Sequence, residues 1–316
     1  MSTTSTSSTP KCMKGISIIH VGKRNFRVPT ASLPDGLTSK RDIYGRKGSK
    51  INQLKQETRT FITVLSDKEL VNIRGYERNV NMAKIKIYNI IENKKFLLPP
   101  THFISLPLSD SNTQRKVKDF QNEVLQLKLA NIDKSILIKP PSLHLTIGML
   151  NLYRKEDIKE AVELLKKLSQ EINDLIGKRT IVSNLTGIEI MDDNKEKTHV
   201  LYSKVGEPEG QNILEELGGF LTDKFEKAGY LKKENRPLKL HATLINTRHR
   251  NNGVVASNHD NRQGEPVRIP FNATPIFNKF SNIEFGTCRI ESIHISKVGE
   301  YDERGRHHSE GCIKLP

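Results

Sequence analysis

Two stretches of the chain, Ser142-Leu-His-Leu-Thr-Ile-Gly-Met-Leu150 and Leu238-Lys-Leu-His-Ala-Thr-Leu-Ile245, repeat one pattern. In the first, Leu143, Leu145 and Ile147 alternate with Ser142, His144 and Thr146; in the second, Leu240, Ala242 and Leu244 alternate with His241 and Thr243. A period of two is that of a strand with one buried face, so each stretch presents a His and a Thr together on the opposite face. The two histidines are 97 residues apart, and each strand follows a helix-like stretch. Such phase identity is the mark of an internal duplication. It predicts an α+β domain with two lobes, each contributing one His-x-Thr strand.

Other His-x-Ser matches are weaker. His294-Ile-Ser296 falls in a strand-like run over 290–298, and His307-His-Ser309 falls in a polar C-terminal stretch read as a tail. Neither follows a helix at the repeat spacing, so His294 is expected to lie near the site at best and the tail match to be chance.

The paired motif has a chemical reading. In-line cleavage of a phosphodiester needs a base at the attacking oxygen and an acid at the leaving one. With an ordinary pKa of about 6.5, one imidazole can be neutral while another is protonated near neutral pH. Thr146 and Thr243 add hydroxyls able to donate to nonbridging phosphate oxygens as charge develops there. The residues leave open which histidine is base and which acid. No metal and no cofactor is expected, since no carboxylate cluster or metal-spaced His/Cys set is evident, and Cys12, Cys288 and Cys312 lack a CxxC spacing and read as reduced thiols.

Charge is uneven along the 316 residues. Residues 1–100 hold 19 Lys/Arg against 7 Asp/Glu, while residues 101–316 hold 32 against 29. A basic first third favours a polyanion such as nucleic acid through counterion release. No apolar run approaches the roughly 20 residues of a membrane span, and the Ser/Thr-rich start lacks the regions of a secretory signal, so a soluble intracellular protein with no membrane partner is expected.

Within that basic third, Ile43-Tyr-Gly-Arg-Lys-Gly-Ser-Lys-Ile51 sets Gly45 and Gly48 around Arg46 and Lys47, with Lys50 beyond and the apolar pair Ile51 and Leu54 opening a helix. Glycines let backbone approach a phosphate chain, and a helix N-terminus adds its dipole. Strands are expected over 26–28, 61–65 and 70–73. The helix that follows should bury Val80, Ala83, Ile87, Ile90 and Ile91 on one face.

This order, with Ile43-x-Gly-x-x-Gly-x-x-Ile51, resembles the KH family over residues 25–95, although Tyr44 replaces a small or aliphatic residue. The resemblance implies a type I KH domain with a three-stranded sheet. It also implies a groove for about four nucleotides of single-stranded RNA or DNA, or else a protein-docking role. Its nucleic-acid-binding residues would be Ile43, Gly45, Arg46, Lys47, Gly48, Lys50 and Ile51. The duplicated His-x-Thr region resembles the two-histidine (2H) phosphoesterases, also called LigT-like, which implies catalytic roles for His144, Thr146, His241 and Thr243 and action on 2′,3′-cyclic or 2′-5′ phosphodiesters.

Together the two modules resemble a family of transcription-coactivator and alkylation-repair complex subunits, which implies a nuclear location and a helicase-type partner subunit. A catalytically silent, nucleic-acid-binding subunit that tethers that partner is the alternative to an enzyme. The expected division is a tail over 1–15, the KH domain over 16–95 and the phosphoesterase-like domain over 96–316, with an exposed loop over 248–265.

Overall fold

The computed structural model describes residues 25–29, 44–65, 70–96, 98–177, 179–209, 212–233, 237–250 and 268–316. The expected tail (Cys12 included), Ile43 and residues 251–265 of the expected loop lie outside them. The chain divides into two compact units, Met1–Pro99 with Tyr153–Lys155 and Pro100–Leu152 with Glu156–Pro316. Among the described residues no helix is long and apolar enough to cross a membrane.

The first unit is a KH domain. Strands β1 (Asn25–Pro29), β2 (Phe61–Leu65) and β3 (Leu70–Arg74) form an antiparallel sheet in the order β1-β3-β2. Among the described residues, helices α1 (Ser49–Thr58) and α2 (Glu77–Lys95) accompany it. Ile51 and Leu54 of α1 share a core with Ile62, Val71 and Ile73 of the sheet and Val80, Ala83 and Ile87 of α2. These are the positions the helical and strand periods place on buried faces. Burying each larger aliphatic side chain contributes about 1.5–3 kcal/mol.

The second unit is one eight-stranded sheet in the order β11-β10-β4-β5-β8-β7-β6-β9. Its strands are β4 (His102–Pro107), β5 (His144–Leu150), β6 (Val182–Ile190), β7 (Val200–Gly206), β8 (His241–Asn246), β9 (Glu284–Arg289), β10 (Ser292–Tyr301) and β11 (His307–Lys314). Helices α3 (Ser111–Gln126), α4 (Lys155–Lys167), α5 (Ser169–Ile176), α6 (Ile213–Lys227) and α7 (Thr274–Phe280) accompany it. Leu106, Leu145, Leu201, Ala242 and Ile295 from the sheet are buried in one core with Phe120 of α3, Leu165 of α4 and Leu217 of α6.

Several boundaries differ from the sequence reading. The sequence predicts a helix over 115–130; helix α3 starts four residues earlier because Asp110 caps it, its carboxylate accepting from the Thr113 amide at 2.7 Å. It ends before 130, where Lys128 and Asn131 adopt φ of 49° and 61°. The sequence predicts one helix over 156–176; in the structure it is divided at Leu168 into α4 and α5. The backbone ladder runs on through the division, from Leu168 N to Leu164 O at 3.0 Å and from Ile172 N to Leu168 O at 2.9 Å. The polar C-terminal stretch is not a tail: residues 307–314 form strand β11, antiparallel to β10.

Candidate active site and nucleic-acid-binding loop

Strands β5 and β8 meet through the antiparallel pair Leu145↔Ala242, residues that are themselves 97 apart and therefore equivalent in the repeat. A local twofold passes between them. Continued by one residue each way, this register sets His144 beside Thr243 and Thr146 beside His241, all on one face, because directly opposed residues share a face. The exposure pattern agrees: Leu145, Ile147, Ala242 and Leu244 are buried, while His144, Thr146, His241 and Thr243 are partly open.

The duplication extends to irregularities in the ladder. Against β4, the pairs Ile104↔Gly148 and Ser105↔Thr146 skip Ile147; against β7, Leu201↔Ile245 and Tyr202↔Thr243 skip Leu244. In each strand the residue just after the threonine is thus a bulge, a device that bends a strand and re-aims its side chains.

Both imidazoles are fixed in the same way. His144 Nδ1 donates to the Ser142 carbonyl at 2.8 Å, and His241 Nδ1 donates to the Lys239 carbonyl at 2.8 Å. A carbonyl only accepts, so the proton sits on Nδ1 and Nε2 is left for chemistry. Thr146 Oγ1 lies 3.1 Å from His144 Nε2. An aromatic ring from the adjacent strand flanks each histidine: Phe103 at 4.9 Å from His144 and Tyr202 at 5.2 Å from His241. The Tyr202 hydroxyl donates to Glu189, which also pairs with Lys239 at 3.6 Å.

The two halves differ in their further neighbours. His307, on β11, packs edge-on against His144 with ring centroids 4.8 Å apart, and touches Phe103 at 5.0 Å and Tyr301 at 4.8 Å. This overturns the reading of His307 as a chance match. The signal that could have found it is the alternation of His307, Ser309, Gly311 and the buried Ile313 with His308, Glu310, Cys312 and Lys314, which a polar composition obscures. His294 makes hydrogen bonds to Ser292 at 2.8 Å and Ser309 at 2.9 Å, so it supports β10 and β11.

His249, in the short turn after β8 capped by Asn246, is close enough for its charge to act on both His144 and His307. Arg250 next to it pairs with Asp133 at 2.8 Å and donates to the Asn131 carbonyl, so the first residues of the expected loop are held down.

Burial pushes His144 down to about 4; the hydrogen bond to Ser142 opposes this, and the neighbouring His241 and His249 add to the depression. Burial, then His144 and His249, push His307 down to about 3. Both rings are neutral at pH 7. Among the described residues no group of three or more His, Cys, Asp and Glu side chains is arranged to hold a metal ion.

In the KH domain, Gly45, Lys47 and Gly48 have φ of 69°, 55° and 79°, left-handed values that turn the loop tightly into α1. Such turns gather backbone amides into an anion-binding concavity. A Cβ on Gly45 would stand 2.7 Å from Lys50 Cγ and 3.0 Å from the Lys50 amide nitrogen, whereas one on Gly48 would meet only Asn52, at 3.7 Å. Arg46, Lys47 and Lys50 are exposed. Ile51 is 2% exposed and packs in the core with Tyr44 against the same cluster, so it anchors the loop from below and offers no surface to a base.

Residues 39–89 match the KH domain family, and residues 100–315 match the AKAP7 2′5′ RNA ligase-like domain. The chain belongs to the AKAP7 2′5′ RNA ligase-like family. Over 283 residues the chain is 34% identical to activating signal cointegrator 1 complex subunit 1 of Mus musculus, covering 86% of this chain and 79% of that protein. It is 21% identical to A-kinase anchor protein 7 isoform gamma of Homo sapiens over 258 residues, 79% of this chain and 67% of that one. Among solved structures, the apo form of E. coli LigT is 15% identical, with a TM-score of 0.39 over 69% of this chain and 98% of that one. In this AKAP7 2′5′ RNA ligase-like domain the two His-x-Thr strands are β5 and β8, central in the sheet.

Proposed function

We propose that the chain is an RNA-associated phosphodiesterase whose two-histidine groove hydrolyses 2′,3′-cyclic phosphates or 2′-5′ linkages, and whose KH domain holds the single-stranded RNA. The same loop chemistry accepts single-stranded DNA. The observation that carries the reading is the Leu145↔Ala242 register, which brings two His-Thr pairs face to face about a local twofold.

His144, neutral, takes the proton of the attacking water at Nε2 as the water oxygen bonds to phosphorus. His241, protonated, gives its Nε2 proton to the oxygen that leaves as its bond to phosphorus breaks. The threonine hydroxyls donate to the nonbridging oxygens. Each proton transfer contributes about 10²–10⁴-fold in rate. No step calls on a metal or cofactor, so turnover is expected in chelator.

A second reading has its own support. An imidazole held near pKa 4 is a weak base at pH 7, and the chain is similar to a complex subunit. In this reading the groove senses a phosphate end without turnover. The protein is then a nuclear regulatory subunit of an activating signal cointegrator 1 complex, serving transcription coactivation and alkylation repair by tethering a helicase-type subunit.

One experiment separates them: hydrolysis of oligonucleotides bearing a 2′,3′-cyclic phosphate or a 2′-5′ linkage, in chelator, by the native protein, His144→Ala and His241→Ala. Turnover lost in both variants supports the phosphodiesterase. No native turnover, with cyclic nucleotide still bound through the same histidines, supports the sensor.

A further inference from the structure

We propose that the phosphoesterase-like domain holds a second nucleic-acid subsite, a cleft between α3 and the segment 134–141. There it would receive the RNA strand continuing away from the phosphate at His144. This rests on the proposed function and names where the rest of its substrate lies.

The cleft is about 620 Å³, within the range of about 300–1,000 Å³ typical of ligand sites. Arg115 and Lys118 reach it from α3, Lys134 and Lys139 from the opposite wall, and no Asp or Glu lines it. Residues 115, 118 and 122 follow one another at steps of three and four, so Arg115, Lys118 and Asn122 lie along one face of the helix. Lys118 and Lys134 enter no ion pair among the described residues, and Arg115 meets Asp119 only at 4.0 Å on the exposed surface, where a pair is worth little.

Four cations and no anion are what a phosphate chain needs, and apolar faces of Leu125, Leu137, Pro140 and Pro141 offer surface for bases. An acidic peptide would use the cations but not the apolar surface of Leu125, Leu137, Pro140 and Pro141.

A chain of side-chain contacts links the cleft to the two-histidine site. Lys139 Nζ lies 4.5 Å from the centroid of the Tyr301 ring. That ring is 4.8 Å from His307, which is 4.8 Å from His144. The lining prolines lead directly into Ser142, whose carbonyl holds His144. A strand leaving the groove past His307 and Tyr301 therefore enters the cleft at Lys139.

The test uses the full chain with Gly45→Asp and Gly48→Asp, which removes the KH contribution, and two RNAs ending in a 2′,3′-cyclic phosphate, a dinucleotide and an octanucleotide. Adding Lys118→Glu with Lys134→Glu should raise the octanucleotide Kd about tenfold and flatten its log–log salt slope by about 1.4, two phosphate contacts at about 0.7 each on a single strand. The dinucleotide Kd should stay within about twofold, and Lys118→Arg with Lys134→Arg should keep both affinities. An unchanged octanucleotide Kd, or equal losses on both RNAs, overturns the cleft. Competition by a polyglutamate peptide that the same charge reversal abolishes overturns RNA as its occupant. Failure of the dinucleotide to bind before any lysine is changed counts against the phosphodiesterase reading; an octanucleotide loss in that case still supports the cleft.

Discussion

At the scale of single residues, the domain rests on imidazoles kept neutral. Folded His144 takes a proton only near pH 4, while in the unfolded chain it does so near 6.5. Between those values the unfolded state binds more protons, so this contribution is complete above pH 6.5 and is lost as the pH falls toward 4. The linkage amounts to about 3 kcal/mol at full extent. Urea melts from pH 7 to pH 4 should show stability falling with pH, and His144→Gln with His307→Gln should flatten that slope. An unaltered slope in the double variant would refute the assignment to these rings.

His144 and His241 were legible in the sequence because strand alternation is local and the repeat doubles the signal. His307 was not. It reaches His144 through the pairing of β11 with β10 and of β10 with β4, and such long-range register leaves no trace in a polar eight-residue stretch.

At the scale of elements, regular segments were readable and their irregularities were not. The bulges at Ile147 and Leu244 look like ordinary buried strand positions in sequence, and only the register shows that each is skipped. The extent of α3 depended on the Asp110 cap and on two left-handed residues after it. Gly187 is a third such irregularity, skipped between Thr186 and Ile188 in the pairing of β6 with β7. Its φ is +65°, and an added Cβ would stand 2.9 Å from the Ser281 carbonyl oxygen, a backbone atom with little room to move. Gly187→Ala is therefore expected to lower stability by about 1–3 kcal/mol, measured by denaturant unfolding. Gly219→Ala, in α6 with open space around it, should be neutral or slightly stabilising.

At the scale of the whole chain, two modules predict separable losses. Gly45→Asp and Gly48→Asp add an anion and left-handed strain to the KH loop, with Gly45→Asp the more severe because its Cβ also collides with Lys50. Filter binding should show weaker affinity for long RNA in both, while hydrolysis of a dinucleotide ending in a 2′,3′-cyclic phosphate stays at the native rate. An equal fall in hydrolysis would sink the two-module account. The break in charge near residue 100 and the two motif sets are properties of the linear chain, which is why they can be read from the sequence.

The local twofold through Leu145 and Ala242 would, taken alone, make the groove indifferent to direction, because turning a phosphodiester end for end would exchange one His-Thr pair for the other. Among the described residues His307 packs against His144 and no second histidine packs against His241, so the site has a head and a tail. A nucleic-acid strand has a head and a tail as well. The protein's sense of which end of its substrate is which would then reside in a histidine that the duplication did not copy.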